Sequence, residues 1–518
     1  MINNDKYGFA CRAVSTVALL LSGWLSASAQ ESAVVDTRGA SMSEPLLTVS
    51  YTLEETIAAA QDQSVDAMIA KYTFLAAYWE FKSFRASLLP SLNVTANLAQ
   101  FDRSLRLLQN SETGDMNYIS NYNLQNSIGL NIQQNISFTG GTLSLNSDLS
   151  RLDQFRPSHS NTYYSQPVTL SYTQPLFAYN RFKWDKKIEP QKYEYAKRCY
   201  IESMEGVTAS AVELFFGLLL QKTKYDIACK NYENTRVLSS VARERLKLGT
   251  VTQDEVLQLE LRMLNDSLSI NTGKTALRES QLAFNSLLRL RENVDVDPVL
   301  DTDIPNLMLD YREVIDRAVH NSSFTLENEI AVLQAEAEVA RAKAQRGASA
   351  TLSARFGLSQ SSDVFSNAYK GLLDQEVVGL SISFPIFDWG MGRGRVKMAE
   401  ARSELARTEA EQKENDFRRE IFTLTEQFNN QRSQFEVALK ARQIADRRYE
   451  IAMSNFRRGS VSVTDMNTAQ SERDQATEAF ISALADYWKY YYSLRRKTLY
   501  DLASGYDIGA EFDKMMQK

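Results

Sequence analysis

Two periodicities divide this chain. Between residues 90 and 175 apolar residues recur at every second position: Leu92, Val94, Ala96 and Leu98; Ile128, Leu130 and Ile132; Leu143 and Leu145; Val168, Leu170 and Tyr172. A period of two is that of a strand with one apolar face. Gly140-Gly141 separates the second run from the third and predicts a hairpin turn. The alternation returns in Leu352, Ala354, Phe356 and Leu358, and again in Val378, Leu380, Ile382 and Phe384. Each of these two runs approaches the roughly 9–11 residues that a tilted strand needs to cross a membrane. Strands left open at their edges are not tolerated in lipid, so in a membrane several chains would have to share one barrel.

Elsewhere the pattern is helical. Thr52-x-x-Glu55 is a capping box that opens a helix, and Leu89-Pro90 ends it. From about Lys186 to Leu248 the chain holds one proline, Pro190. Roughly sixty helical residues at ~1.5 Å each would span ~90 Å. In the second half Phe417, Ile421, Leu424, Phe428, Phe435, Ala438, Ala445, Tyr449, Ala452 and Phe456 keep a four-three spacing, with polar steps at Gln431 and Arg442. A sustained period of seven implies helices wrapped around neighbours.

The two halves are copies. Gln174-Pro175-Leu176-Phe177 returns as Phe384-Pro385-Ile386-Phe387, and Gly249-Thr250-Val251-Thr252 returns as Gly459-Ser460-Val461-Ser462, both at an offset of 210. Glu55-Thr56-Ile57 matches Glu313-Val314-Ile315 at 258, so the first copy holds 48 extra residues between its opening helix and its Pro-Leu-Phe. That excess fits either a longer hairpin or additional strands. At the repeated turns, Gly249 and Gly459 suit the left-handed residue that closes a helix. Thr252 with Glu255, and Ser462 with Asp465, suit the caps that start the next one.

Composition narrows the function. A net charge of −6 argues against a nucleic-acid partner. Only His159 and His320 are present, which disfavours a histidine-dependent hydrolytic triad or metal centre, and no nucleotide-binding fingerprint occurs; no enzyme activity and no cofactor are expected. Lys6 and Arg12, an apolar run from Ala13 to Leu25, and Ala27-Ser28-Ala29 read as a secretory signal. No later stretch reaches ~18 uninterrupted apolar residues. Cys199 and Cys229 stand thirty residues apart in one predicted helix, about 45 Å, too far to pair within the chain. Aromatics near the strand ends, such as Phe177, Trp184, Phe384, Phe387 and Trp389, suit a membrane-interface belt. The run Tyr487, Trp488, Tyr490, Tyr491 and Tyr492 suits packing. The organisation expected is a signal over 1–29, a segment 30–50, a first repeat 51–297, a second repeat 298–505 and a tail 506–518.

In order and twice over, these motifs resemble the TolC family of outer-membrane factors, from Thr52 to about Ser504: Leu53-Glu54-Glu55, Leu89-Pro90, Pro175 to Phe177, and the repeated Gly-x-x-Ser/Thr-x-x-Asp/Glu turn. The resemblance implies a mainly α chain with membrane β structure. Long coiled-coil helices would form a periplasmic α-barrel, and each subunit of a homotrimer would give about four strands to a shared barrel in the outer membrane of a Gram-negative bacterium. It implies a passive channel of a tripartite efflux or type I secretion system. The turns Gly249 to Thr252 and Gly459 to Ser462 would dock a membrane-fusion adaptor bound to an inner-membrane pump of the RND, ABC or MFS type. Glu255 and Asp465 would narrow the periplasmic aperture or only cap their helices, and Pro175 to Phe177 and Pro385 to Phe387 would join strand to long helix. The competing reading is a periplasmic coiled-coil adaptor or scaffold. Two departures from the family pattern stand out: Gly347-Ala348-Ser349 in place of Leu-Pro, and Ala178-Tyr179-Asn180 where the second copy has Asp388-Trp389-Gly390.

Overall fold

The structure, a computed structural model, describes residues 47–109, 116–156 and 159–516. The expected signal at 1–29 lies outside them. After strand β1 (Leu47–Tyr51), the capping box forms as expected: the Thr52 hydroxyl accepts from the Glu55 amide, and the Glu55 carboxylate accepts from the Thr52 amide. The helix it starts is shorter than the sequence reading had it. Helix α1 (Leu53–Gln63) stops at Ser64, whose hydroxyl accepts from the Ala67 amide and begins α2 (Val65–Ser87). Serine offers the backbone a local alternative to helix, which is why the break falls there.

Four strands follow: β2 (Ser91–Gln109), β3 (Met116–Ile136), β4 (Gly141–Arg156) and β5 (Ser160–Leu176). Then come α3 (Arg181–Lys247, 67 residues), α4 (Gln253–Leu287) and β6 (Val294–Pro298), which pairs with β1. The second copy repeats the scheme with α5 (Tyr311–Asn321) and α6 (Ser323–Arg346), broken at Ser322, 258 positions after Ser64. Two strands, β7 (Ser349–Ser362) and β8 (Leu373–Ser383), lead to α7 (Met391–Arg458, 68 residues) and α8 (Val463–Thr498). The chain closes with a two-residue hairpin, β9 (Tyr500–Asp501) and β10 (Tyr506–Asp507), and α9 (Ile508–Met516). Phe512 of α9 packs against Phe74 and Tyr200.

One continuous sheet holds six strands in the order β2-β3-β4-β5-β7-β8, every neighbour antiparallel. The four strands per chain implied by the resemblance are therefore corrected to six, four from the first copy and two from the second. By order, β2 and β5 match β7 and β8. The extra residues of the first copy are β3 and β4, hydrogen-bonded into the sheet. Gly140 takes the positive φ of 79° that the connecting turn requires.

The core lies where the long helices meet the short ones. Phe215, Phe284, Ile421, Phe428, Phe480, Leu484 and Tyr487 are buried together. The apolar stretch of α3 is long enough to cross a membrane by composition, but half of it is buried, with Val212, Phe215, Phe216 and Leu218 in this core. Tyr487, Tyr491 and Tyr492 are buried as expected, and Tyr487 donates to the Pro305 carbonyl at 2.9 Å. Cys199 and Cys229 are both free thiols on α3.

Candidate functional site

The two faces of the sheet differ in chemistry. Register places Leu92, Ile132, Leu145, Leu170 and Phe356 side by side in one row across five strands. Leu143, Tyr172, Ala354 and Val378 form another row on the same face. Nothing among the described residues covers this face: Leu92 is 64% exposed, Leu170 42% and Val378 65%. The opposite face carries Asn93, Asn131, Asn146 and Thr169 in register. An uncovered apolar face backed by a polar one is the pattern of a strand with lipid on one side and a water-filled lumen on the other.

At one end the sheet is fastened to the helices. Phe177, Phe384, Phe387 and Trp389 are well exposed there, as an interface belt requires. Trp184, expected in the same belt, instead packs toward Ile188 and Ile330. Phe177, after Pro175 and Leu176, turns the chain through a positive φ of 62°. In the second copy Pro385, Ile386 and Phe387 lie between β8 and α7. The departure at Ala178-Tyr179-Asn180 now has a cause. Asn180 caps α3 by accepting from the Lys183 amide, and its amide nitrogen donates to the carbonyls of Ser137 and Phe138, each at 3.1 Å. Those carbonyls belong to the turn between β3 and β4, which the second copy lacks. There Asp388 serves instead, accepting from the amides of Gly392 and Gly390, which hold its carboxyl below the ordinary aspartate range.

At the other end lie the repeated turns. Gly249 and Gly459 have φ of 72° and 85°. Thr250 donates to the Arg245 carbonyl and Ser460 to the Asn455 carbonyl, the same bond 210 residues apart. This is the helix-closing geometry in which a left-handed residue satisfies the last carbonyls. Val251 and Val461 complete each loop. The Thr252 hydroxyl accepts from the Glu255 amide and the Glu255 carboxylate accepts from the Thr252 amide, so the first capping box is complete. Ser462 caps α8 by accepting from the Asp465 amide, and its hydroxyl donates to the Asp465 carboxylate at 2.7 Å. Both carboxylates are therefore engaged in capping.

The structure brings the two turns together. Leu238, Ala242, Val256, Leu259, Tyr449 and Phe456 form a small core between them, with Val463 and Met466. Arg245, which sequence reasoning missed, ties one turn to the other: it donates to the carbonyls of Phe456 at 3.1 Å and Arg457 at 2.7 Å. Its position in the second copy is held by Asn455, so the repeat itself gave no signal for it. Among the described residues no cluster of histidine, cysteine and carboxylates has the composition of a metal site.

Residues 320–497 match the family model described as outer membrane efflux protein. No curated protein matches the chain by sequence. Similar solved structures include the Campylobacter jejuni CmeC outer membrane channel, at 16% identity over 90% of this chain and 89% of that one, with a TM-score of 0.62. The Vibrio cholerae outer membrane protein VceC is similar at 14% identity over 88% and 96%, TM-score 0.59. The open state of the Neisseria gonorrhoeae MtrE outer membrane channel gives 14% over 88% and 90%, TM-score 0.57. Residues 320–497 are thus similar to the outer membrane efflux protein family, and the chain has the TolC-like fold seen in the outer-membrane channels.

Proposed function

We propose that this chain is one subunit of a homotrimeric outer-membrane exit duct, passive in itself and driven by an inner-membrane pump. The observation that carries this reading is the sheet: six strands with an uncovered apolar face and two open edges, fastened to helices about 100 Å long at ~1.5 Å per residue. Open edges in lipid require further copies to close them. A periplasmic adaptor or scaffold has no use for a lipid-facing sheet, which sets that alternative aside. The expected result is heat-modifiable, SDS-resistant trimers in outer-membrane fractions; a soluble periplasmic monomer would overturn the reading.

The paired turns at Gly249 to Thr252 and Gly459 to Ser462 are the proposed docking tip for a membrane-fusion adaptor that links the duct to a pump of the RND, ABC or MFS type. Their support is their exposure and their placement at the end of the long helices. Photo-crosslinkers at Thr250 and Ser460 should capture a periplasmic adaptor in cells, and crosslinking only to the neighbouring subunit would count against docking. In a trimer, Asp465 and Glu255 would bring several carboxylates near one aperture, favouring cations. Asp465→Asn should lower cation selectivity in a planar bilayer; unchanged selectivity leaves Asp465 as a cap alone.

A further inference from the structure

We infer that the membrane barrel of this duct has eighteen strands and is as wide as the helical tunnel beneath it. The inference rests on the trimer proposed above. Three observations support it.

The additional hairpin belongs to the wall. β3 pairs with β2 along one side and with β4 along the other, and β4 in turn pairs with β5. Its turn is fixed to the neighbouring elements: Asn180 at the start of α3 holds Ser137 and Phe138, Gln174 of β5 donates to the Thr139 carbonyl at 2.9 Å, and Gln134 donates to the carbonyl of Leu88 at the end of α2, at 2.8 Å. A hairpin folded away from the barrel would have no need of these bonds.

The two open edges suit each other. Strand number is even and every pairing is antiparallel, so β8 of one copy and β2 of the next run in opposite directions. Leu380 and Ile382 lie on the same face as Leu92 and Val94, so joining the edges continues the apolar face from copy to copy. Neither Ser91 to Asn97 nor Val377 to Ser383 holds a proline or a charge, the usual means of blocking an edge. Register shifts in β2, β4 and β5 supply the bulges that curve a sheet toward closure.

The widths agree. At about 4.8 Å between strands and about 40° of tilt, eighteen strands close at a perimeter of about 110 Å and twelve at about 75 Å. Near the sheet each chain offers four helices, α2, α3, α6 and α7. Twelve helices spaced about 9–10 Å apart make a ring of about 110 to 120 Å. The additional hairpin thus matches the barrel to the tunnel, and cargo that passes the tunnel meets no narrower passage in the membrane. The size limit of the exported class is set by the helices and their tip.

The test uses the full chain, purified as a trimer from membranes, with Cys199 and Cys229 replaced by serine. Asn93→Cys is combined in turn with Gly379→Cys, Ser381→Cys and Ser383→Cys, which scans the neighbouring registers. One pair should give a covalent trimer on a non-reducing gel that reverts to monomer with reductant. Electron cryomicroscopy should show eighteen strands in section. An intact trimer with twelve strands and the β3–β4 hairpin outside the wall would overturn this inference and leave the duct standing. Absence of any membrane trimer would overturn the duct reading itself.

Discussion

Arg495 holds two buried carboxylates at once. It pairs with Glu205 at 3.0 Å and with Asp501 at 3.1 Å, joining the middle of α3 to the hairpin that follows α8. Burial pushes the Glu205 carboxyl up despite Arg495. Burial acts on Asp501 too, but the Ser504 amide, the Tyr491 hydroxyl and Arg495 outweigh it and hold that carboxyl low. Arg495→Met should destabilise the chain by about 3–5 kcal/mol, the cost of leaving buried charge unpaired, read as a lower unfolding temperature in detergent. The two carboxyls have opposite pH signatures. A lowered value means that the stability from Asp501 is present above its ordinary 3.8 and is lost as pH falls through the value it has in the fold. A raised value means that the contribution of Glu205 is complete below its ordinary 4.5 and is lost as pH rises. Asp501→Asn should therefore lower the unfolding temperature at pH 7 by more than at pH 3, and an equal loss at both would refute the assignment. None of this was legible in the sequence, because the partners lie 290 and 6 residues from Arg495 and follow no period.

At the scale of elements, the sheet offers a direct contrast between adjacent positions. Leu145 lies in the apolar row, whereas Ser144 lies in a row with Ser171 and Arg355. Leu145→Arg should cost about 2–4 kcal/mol near the bilayer midplane and reduce the yield of heat-resistant trimer. Ser144→Arg should leave that yield unchanged, since Arg355 already occupies the same row. The period-two runs placed both faces correctly from sequence, and the paired glycines placed the β3–β4 turn. The strand count was open because 48 extra residues say nothing of whether a hairpin joins a wall or leaves it; the pairing of β4 with β5 decides that. The breaks at Ser64 and Ser322 were missed because helical alternation continues across them; at Ser64 a side-chain cap marks the stop, and at Ser322 only the extended backbone of the serine does.

For the whole molecule, the uncovered face and open edges predict poor behaviour outside a membrane. Residues 47–518 expressed without the leading segment should sediment in plain buffer and stay dispersed in detergent, measured by ultracentrifugation. Solubility without detergent would contradict the assignment of the sheet to lipid. The duplication, the long helices and the capped turns were all readable from spacing, because helix period and turn chemistry are local rules. The tie between the turns through Arg245 was not, since it exists in one copy only.

The division of strands, four from one copy and two from the other, has a consequence for rotational order. A trimer of such chains is close to six-fold at the turns, where each copy ends in the same Gly-x-x-Ser/Thr motif, yet strictly three-fold in the membrane. On the proposed reading, a ring of six partner subunits approaching from the periplasm would meet six nearly equivalent niches. A ligand arriving at the cell surface would meet only three. Arg245 refines the lower figure: because it belongs to one turn of each pair, the six niches alternate between two kinds, and a six-membered partner ring would seat as three pairs.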